Sequence, residues 1–225
     1  MQTRKHEAIP PFLQQKPIDP TAKLVYIKTE ISAIYTAAKD SYTNDDQALN
    51  IDHDKYIELY TAVHDFCTTI VQRSKAQPGD ANAEFRNLYQ YLVDEIKGYC
   101  IDVRGNIFSV DDNAMDENAA RKVLTIYSSH HRKFIKLSSL LRNLLGFWDR
   151  HWIRREWLEK KIQVASVEEL HKVIWKEEVL EKEMEGVADA VAILSETKGD
   201  MTEYDAVLVK DVVKGLSGLG VTLDS

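Results

Sequence analysis

The chain has 225 residues, of which 44% are hydrophobic and 29% charged, and its formal net charge is −7. This composition is ordinary for a folded protein and excludes a chain that is disordered throughout. The acidic balance and the lack of long basic tails argue against a general nucleic-acid binder.

Cysteine usage and hydropathy indicate the compartment. Only Cys67 and Cys100 are present, each in an apolar helical pattern, so we predict neither a disulfide framework nor a cysteine-rich zinc site. No stretch approaches 18 uninterrupted apolar residues, and the N-terminus lacks the apolar run of a signal peptide. We therefore expect a protein of the cytoplasm and nucleus that does not bind membranes.

Proline clusters at the N-terminus, where four of the five prolines stand at Pro10, Pro11, Pro17 and Pro20. Proline lacks the amide hydrogen that a helix needs and fixes its own backbone angle. We predict a flexible arm over residues 1–20 and folded structure from Thr21.

The first helix is predicted from apolar residues at three- and four-residue steps, which are Leu24, Ile27, Ile31 and Ile34. The polar residues 40–50 are expected to form a connector. Asp52 or Asp54 is a candidate N-cap of the second helix, and Gln-Pro-Gly-Asp at 77–80 predicts the turn after it.

The second helix carries more apolar and aromatic surface than one core-facing stripe can bury. Its core stripe is formed by Leu59, Val63, Phe66 and Ile70. A neighbouring flank is formed by Tyr56, Ile57, Tyr60 and His64. Tyrosine combines a large apolar ring with a hydroxyl that tolerates water, so this flank suits a contact surface for another protein. A helix buried on two sides explains the same pattern equally well.

A third helix is predicted from Phe85, Leu88, Leu92, Ile96 and Tyr99, and it ends near Gly105. A fourth helix has cap candidates at 111–113 and runs toward His130 and His131. No proline or glycine separates it from the next apolar stripe, which permits either one very long helix or a tight break at 128–133. We predict the break.

The fifth predicted helix has a core stripe formed by Leu137, Leu141, Leu144 and Trp148. On a regular helix, Phe147, Arg150 and Arg154 lie on a flank about 80–140° from this stripe. An aromatic ring beside arginines is typical of protein interfaces. The arginines could equally be solvated or paired with neighbouring acids, and those acids make a nucleic-acid patch a weak alternative.

Two further helices complete an all-α fold. Ser166 and Glu169 form a capping-box pattern that restarts the helical periodicity. Thr202 is a candidate cap of a final helix that ends at Gly218 and Gly220. Strand-like alternation is scarce.

No residue pattern indicates catalysis, a cofactor or a metal. The adjacent His130 and His131 point about 100° apart on a helix, whereas paired ligands need a spacing of three or four. Two candidate histidine–carboxylate pairs are His151 with Glu156 and His171 with Glu168. Helix-surface polarity explains each pair more simply. Cys67 has no adjacent base, and glycines form no nucleotide-binding pattern.

Two stretches resemble the N-terminal region of cullins, and specifically of cullins of the F-box (SCF) ubiquitin-ligase class. Tyr-Ile-Glu-Leu-Tyr-Thr-Ala-Val at 56–63 is similar to the family's tyrosine-hydrophobe-Glu-Leu-Tyr-Thr second helix. Asp-Arg-His-Trp-Ile-Arg-Arg-Glu at 149–156 is similar to its Asn-Arg-His-Trp-Val-Arg-Arg-Glu signature. Weaker similarity runs from about Tyr26 through Gly220.

The resemblance implies an elongated stalk of cullin repeats, each a five-helix bundle, that acts as a non-catalytic scaffold of a cullin-RING E3 ubiquitin ligase. It implies a first repeat over residues 21–165 and the beginning of a second over 166–225. In such cullins, helices two and five bind a Skp-type BTB-fold adaptor that carries F-box substrate receptors. Carried over by position, this surface comprises Tyr56, Ile57, Tyr60, His64, Phe147 and Arg150. The exchange factor CAND is a further possible partner.

The sequence departs from the family's pattern on this surface, because His64 stands where an aromatic is usual and Phe147 where a tyrosine is usual. Both departures bear on adaptor choice. No part of the chain resembles the C-terminal cullin-homology region, so a RING subunit is expected only if the chain is a fragment. A natural short protein would compete for adaptors. An unrelated helical enzyme or RNA-binding module is the remaining alternative.

Overall fold

The computed structural model describes residues 19–40, 51–76, 82–107, 115–159, 164–196 and 202–221. These ranges contain helices and no strand, so the all-α prediction is confirmed. The α-helices are α1 (Pro20–Asp40), α2 (His53–Ala76), α3 (Ala83–Ile107), α4 (Glu117–Leu144), α5 (Gly146–Trp148), α6 (Arg154–Leu158), α7 (Val167–Trp175), α8 (Glu181–Glu196) and α9 (Glu203–Gly218). The π-helical segment Asp149–Ile153 joins α5 to α6, and a second, Lys176–Leu180, joins α7 to α8.

Side-chain caps fix several helix N-termini. The predicted caps of α7 and α9 are confirmed, since Ser166 and Thr202 each accept a hydrogen bond from the backbone N–H three residues on. Asp52 Oδ2 accepts from the backbone of Asp54 at 3.2 Å at the start of α2. The cap candidates at 111–113 lie outside the described residues, and Asp116 caps α4.

The break predicted at 128–133 is wrong, because α4 continues from Glu117 to Leu144. This stretch has no proline or glycine, and its buried side chains continue one stripe through Tyr127, His131, Phe134 and Leu137. Packing along that whole stripe keeps the backbone helical. The helix ends at Leu145 (φ −89°, ψ 5°), so the segment that carries Phe147 is short and begins at Gly146.

The helices pack around a continuous core. α1 lies against α2 and α3, whereas α4 contacts α3, α7, α8 and α9. The stripe predicted for α2 is buried. Buried side chains from Leu24 to Leu216 form one cluster, with the rings of Trp148 and Trp152 stacked at 5.5 Å between centroids. This cluster includes residues before and after residue 165, so the core has no boundary at that point. The division into two repeats stays a prediction.

The predicted N-terminal arm up to residue 18, the connector from 41 and the turn at 77–80 lie outside the described residues. Among the helices that are described, none has both the length and the apolar character needed to cross a bilayer.

Candidate partner-binding surface

The aromatic flank of α2 lies at the surface of the chain. Ile57 is 49% exposed and His64 is exposed, while Tyr56 and Tyr60 are partly exposed. The rings of the two tyrosines stack with an interplanar angle of 8° and a centroid distance of 6.5 Å. A spacing of four residues places Tyr56, Tyr60 and His64 in one row along the helix. The sequence allowed either an exposed flank or a helix buried on two sides, and the structure shows the exposed flank.

Helix α5 adds Phe147 to the same face. The rings of His64 and Phe147 meet edge to face, with centroids 4.5 Å apart and an interplanar angle of 64°. Because His64 ends the row on α2, this contact joins α2 and α5 into one continuous aromatic surface. We call the residues Tyr56, Ile57, Tyr60, His64 and Phe147 the ring surface.

The surface predicted from the sequence did not include His151. This residue is exposed, and its ring contacts Phe147. Its ring centroid is 4.2 Å from that of Phe147, so Phe147 is in ring contact with both His64 and His151. The four-residue spacing from Phe147 to His151 was available in the sequence as a signal.

Charged groups border the ring surface. Lys55 Nζ lies 2.7 Å from Glu30 Oε1 and 5.3 Å from the centre of the Tyr26 ring. At the other end of the row, Asp65 Oδ1 lies 3.5 Å from His64 Nδ1. Apolar and aromatic residues within a charged rim are the usual anatomy of a protein interface.

Arg150 follows Phe147 by three residues and approaches Gly146. It is exposed, and its Nη1 is 3.4 Å from the position that a Cβ on Gly146 would occupy. It also lines a cavity of about 530 Å³, together with Arg154 and Trp157, and Phe147 is not among the lining residues. Arg150 therefore belongs to the lining of this cavity.

Arg154 follows the π-helical segment and lines the same cavity as Arg150. The N–H of Arg154 donates to the carbonyl of Asp149, five residues back. The predicted flank of Phe147, Arg150 and Arg154 is divided, because both arginines line the cavity whereas Phe147 packs against His64.

Two of the candidate histidines, His131 and His171, are buried in the core. His171 lies with Nδ1 2.6 Å from the carbonyl of Val167 and Nε2 2.8 Å from the Tyr35 hydroxyl. Burial lowers the pKa of His171 to about 4 and that of His131 to about 4. Both rings are therefore neutral at pH 7, and a cavity of about 170 Å³ reaches them.

Neither candidate histidine–carboxylate pair is a ligand pair. Glu168 binds Arg142 at 2.8 Å and Lys172 at 3.1 Å instead of His171. Glu156 is buried, with Oε1 3.4 Å from Arg155 Nη2. Across the described parts of the chain, no three histidine, cysteine or carboxylate side chains are grouped as metal ligands.

The two cysteines are packing residues. Both are buried and free, and burial raises the pKa of the Cys67 thiol to about 12. Burial also raises the pKa of Cys100. A reactive cysteine needs a lowered pKa, so neither thiol has the environment of a nucleophile.

Comparison with known proteins covers both helices of the ring surface. The family model of the Cullin alpha solenoid domain matches residues 25–224. Cullin-1 of Caenorhabditis elegans is 29% identical over 74% of this chain and 22% of its own length. Cullin-1 of Dictyostelium discoideum is 24% identical over the same two shares, 74% and 22%. The chain thus spans about a fifth of the length of these relatives.

Proposed function

Because this chain belongs to the cullin family, we propose that it is a non-catalytic scaffold of an SCF-type cullin-RING ubiquitin ligase. In this proposal the ring surface and Arg150 bind a Skp-type BTB-fold adaptor, which carries F-box substrate receptors. The role is to hold a receptor, and no bond is made or broken at the surface.

The contact between His64 and Phe147 is the observation that carries this proposal. It joins two helices that are far apart in sequence into one exposed face. On that face Ile57 is exposed and the rings of Tyr56, Tyr60 and Phe147 are partly exposed. Aromatic residues and arginine dominate the binding energy of protein interfaces, so this set suits a protein partner better than a small molecule.

The size of the partner contact follows from the same reasoning. A stable interface removes roughly 1,200–2,000 Å² of total surface. The row from Tyr56 to His64 spans eight residue steps, or about 12 Å at the helical rise. A BTB-fold adaptor therefore has to contact both α2 and α5, and the charged rim around Lys55 and Asp65 then lies at its edge.

Further parts of the proposal follow from family membership alone. The exchange factor CAND is a second partner, and a RING subunit is a partner of the longer protein if this chain is one of its fragments. Cytoplasm and nucleus are the proposed compartments. Neither nucleic acid nor membrane is a proposed ligand, in keeping with the net charge of −7.

Calorimetry with a purified Skp-type adaptor bound to an F-box protein tests this function. We expect Tyr56→Ala combined with Tyr60→Ala to abolish binding, because the double substitution removes two aromatic rings from the surface. Tyr204→Ala is the matched control, since Tyr204 is 56% exposed on α9. Circular dichroism checks that all variants keep their helical content. A double variant that binds as tightly as the parent chain refutes the proposed function.

A further inference from the structure

A small cavity lies where α4, α7 and the end of α9 meet. Its volume is about 170 Å³, and no residue of the ring surface lines it. Drug-sized ligands occupy about 300–1,000 Å³, whereas a cavity of about 150 Å³ holds a benzene ring. The cavity therefore fits a molecule with one ring or a short branched chain.

Part of the lining is apolar. Phe134 and Ile135 belong to α4, and Leu219 is the C-cap of α9. The Phe134 side chain is buried, while Ile135 is exposed at the surface. Apolar walls with a few polar groups are the usual composition of a small-molecule site, so we expect the ligand to have an apolar body.

Two buried polar side chains of the lining have no hydrogen-bond partner among the described residues. Ser138 is 6% exposed, and its hydroxyl makes no hydrogen bond with them. His131 is 9% exposed, and its Nε2 is likewise without a partner there. By contrast, both nitrogens of His171 are engaged, with Val167 and Tyr35. Since buried polar groups nearly always have partners, Ser138 and His131 are available to a ligand.

The charged side chains of the lining leave one positive charge in excess. Arg142 and Lys172 each bind one oxygen of Glu168, at 2.8 and 3.1 Å. These two cations hold the pKa of the Glu168 carboxyl below its ordinary value, so this group stays charged and paired. Arginine has five N–H donors and lysine has three, so both side chains keep donors for a second acceptor.

The excess charge favours a ligand with a single negative charge. Both histidines of the lining are neutral at pH 7, since burial lowers the pKa of each to about 4. Both oxygens of Glu168, the carboxylate of the lining, are already engaged, so a cationic ligand would lack a free anionic partner. A dianion such as phosphate would leave negative charge uncompensated beside apolar walls, which is unfavourable. One carboxylate on an apolar body meets both conditions.

We propose that this cavity binds a small monocarboxylate whose body is one ring or a short branched chain. The carboxylate accepts hydrogen bonds from the Arg142 guanidinium and from the Ser138 hydroxyl. These two residues stand four positions apart on α4 and therefore share one face of the helix. The body of the ligand packs against Phe134 and the other apolar walls. The site is independent of the proposed function, because no residue of the ring surface belongs to it.

A ligand series on the parent chain tests the chemistry. Sodium benzoate is titrated into the isotope-labelled whole chain at pH 7 and constant ionic strength, and NMR chemical shifts report binding. We expect saturable binding at one site. Benzamide keeps the ring without the charge, and acetate keeps the charge without the ring, so each should bind about tenfold more weakly. Benzamide that binds as tightly as benzoate, phosphate that binds more tightly, or the absence of saturable binding overturns the inference.

Variants test the position of the site. We expect Arg142→Ala to weaken benzoate binding about tenfold and Ser138→Ala to weaken it about threefold, because each removes a donor to the carboxylate. Arg132→Ala is the matched control and should bind like the parent chain, since Arg132 is exposed on the same helix outside the lining. Circular dichroism checks the helical content of each variant. If folded Arg142→Ala and Ser138→Ala both bind benzoate like the parent chain, the inference is wrong.

Discussion

The imidazole of His64 on α2 packs edge to face against the phenyl ring of Phe147 on α5, with 4.5 Å between ring centroids. On the ring surface, His64 and Phe147 are the two positions described above as departures from the cullin pattern. Because the two rings are in direct contact, a substitution at one position changes the packing of the other side chain.

A double-mutant cycle of His64→Ala and Phe147→Ala measures this pairing. We expect a coupling free energy of about 0.5–1.5 kcal/mol in urea unfolding, the range of aromatic pairs. Tyr60→Ala with Phe147→Ala is the control cycle, which should show a smaller coupling. Additive effects of His64 and Phe147 would mean that the two rings do not stabilise each other.

The buried apolar stripes and the helix N-caps follow from residue spacing and residue type, so they could be predicted from the sequence. Leu59, Val63 and Phe66 are buried as their spacing indicates, and Ser166 and Thr202 cap helices. The exposure of the Tyr56–Tyr60 flank was one of two interpretations, because periodicity alone does not say which flank a neighbouring helix covers.

Two features depend on packing beyond local spacing. The continuity of α4 is set by helices α8 and α9, which pack along it, whereas a local view of residues 128–133 leaves a break equally open. The π-helical segment Asp149–Ile153 is the second feature, because a projection on a regular helix does not include the extra residue in its turn.

Gly215 marks a close approach of α9 to α4. A Cβ at this position would lie 2.9 Å from two atoms of the His131 ring. His131 is buried, so its ring has little room to move. We expect Gly215→Ala to lower the free energy of unfolding by about 1–3 kcal/mol, as overpacking does.

Gly98 is the matched control for this substitution. It lies within α3, and a Cβ there meets nothing within 4 Å. Gly98→Ala should stabilise the protein by about 0.5–1 kcal/mol, since alanine loses less backbone entropy in a helix. Thermal unfolding of both variants measures the difference. Equal changes in the unfolding temperature of Gly215→Ala and Gly98→Ala would contradict a tight contact at Gly215.

The hydrogen bond between Tyr35 and His171 is a second stability test. The carbonyl of Val167 can only accept, so Nδ1 of neutral His171 donates to it and Nε2 accepts from the Tyr35 hydroxyl. Both residues are fully buried. Tyr35→Phe leaves Nε2 without a donor, which costs about 1–3 kcal/mol. Urea unfolding measures this loss of stability. Tyr204→Phe is the control, because Tyr204 is exposed. An unchanged midpoint would show that the hydrogen bond contributes nothing.

Acid sensitivity is expected where α9 is held to α4. Asp205 is buried and binds Arg121 through both carboxylate oxygens, at 2.7 and 3.0 Å. The hydrogen bonds from Arg121 and Thr202 lower the pKa of Asp205 from 3.8 to about 2. Because the folded-state pKa is the lower one, the carboxylate stabilises the fold fully above about pH 4. This contribution is lost as the pH falls from 4 toward 2.

Asp205→Asn removes that titration. The variant should unfold at lower urea than the parent chain at pH 7, and the gap between them should narrow as the pH falls toward 2, because protonated Asp205 has already lost its ion pair. Asp211→Asn, at an exposed position on the same helix, is the control and should follow the parent chain at every pH. A constant gap across this range would show that the Asp205 carboxylate does not supply the pH dependence.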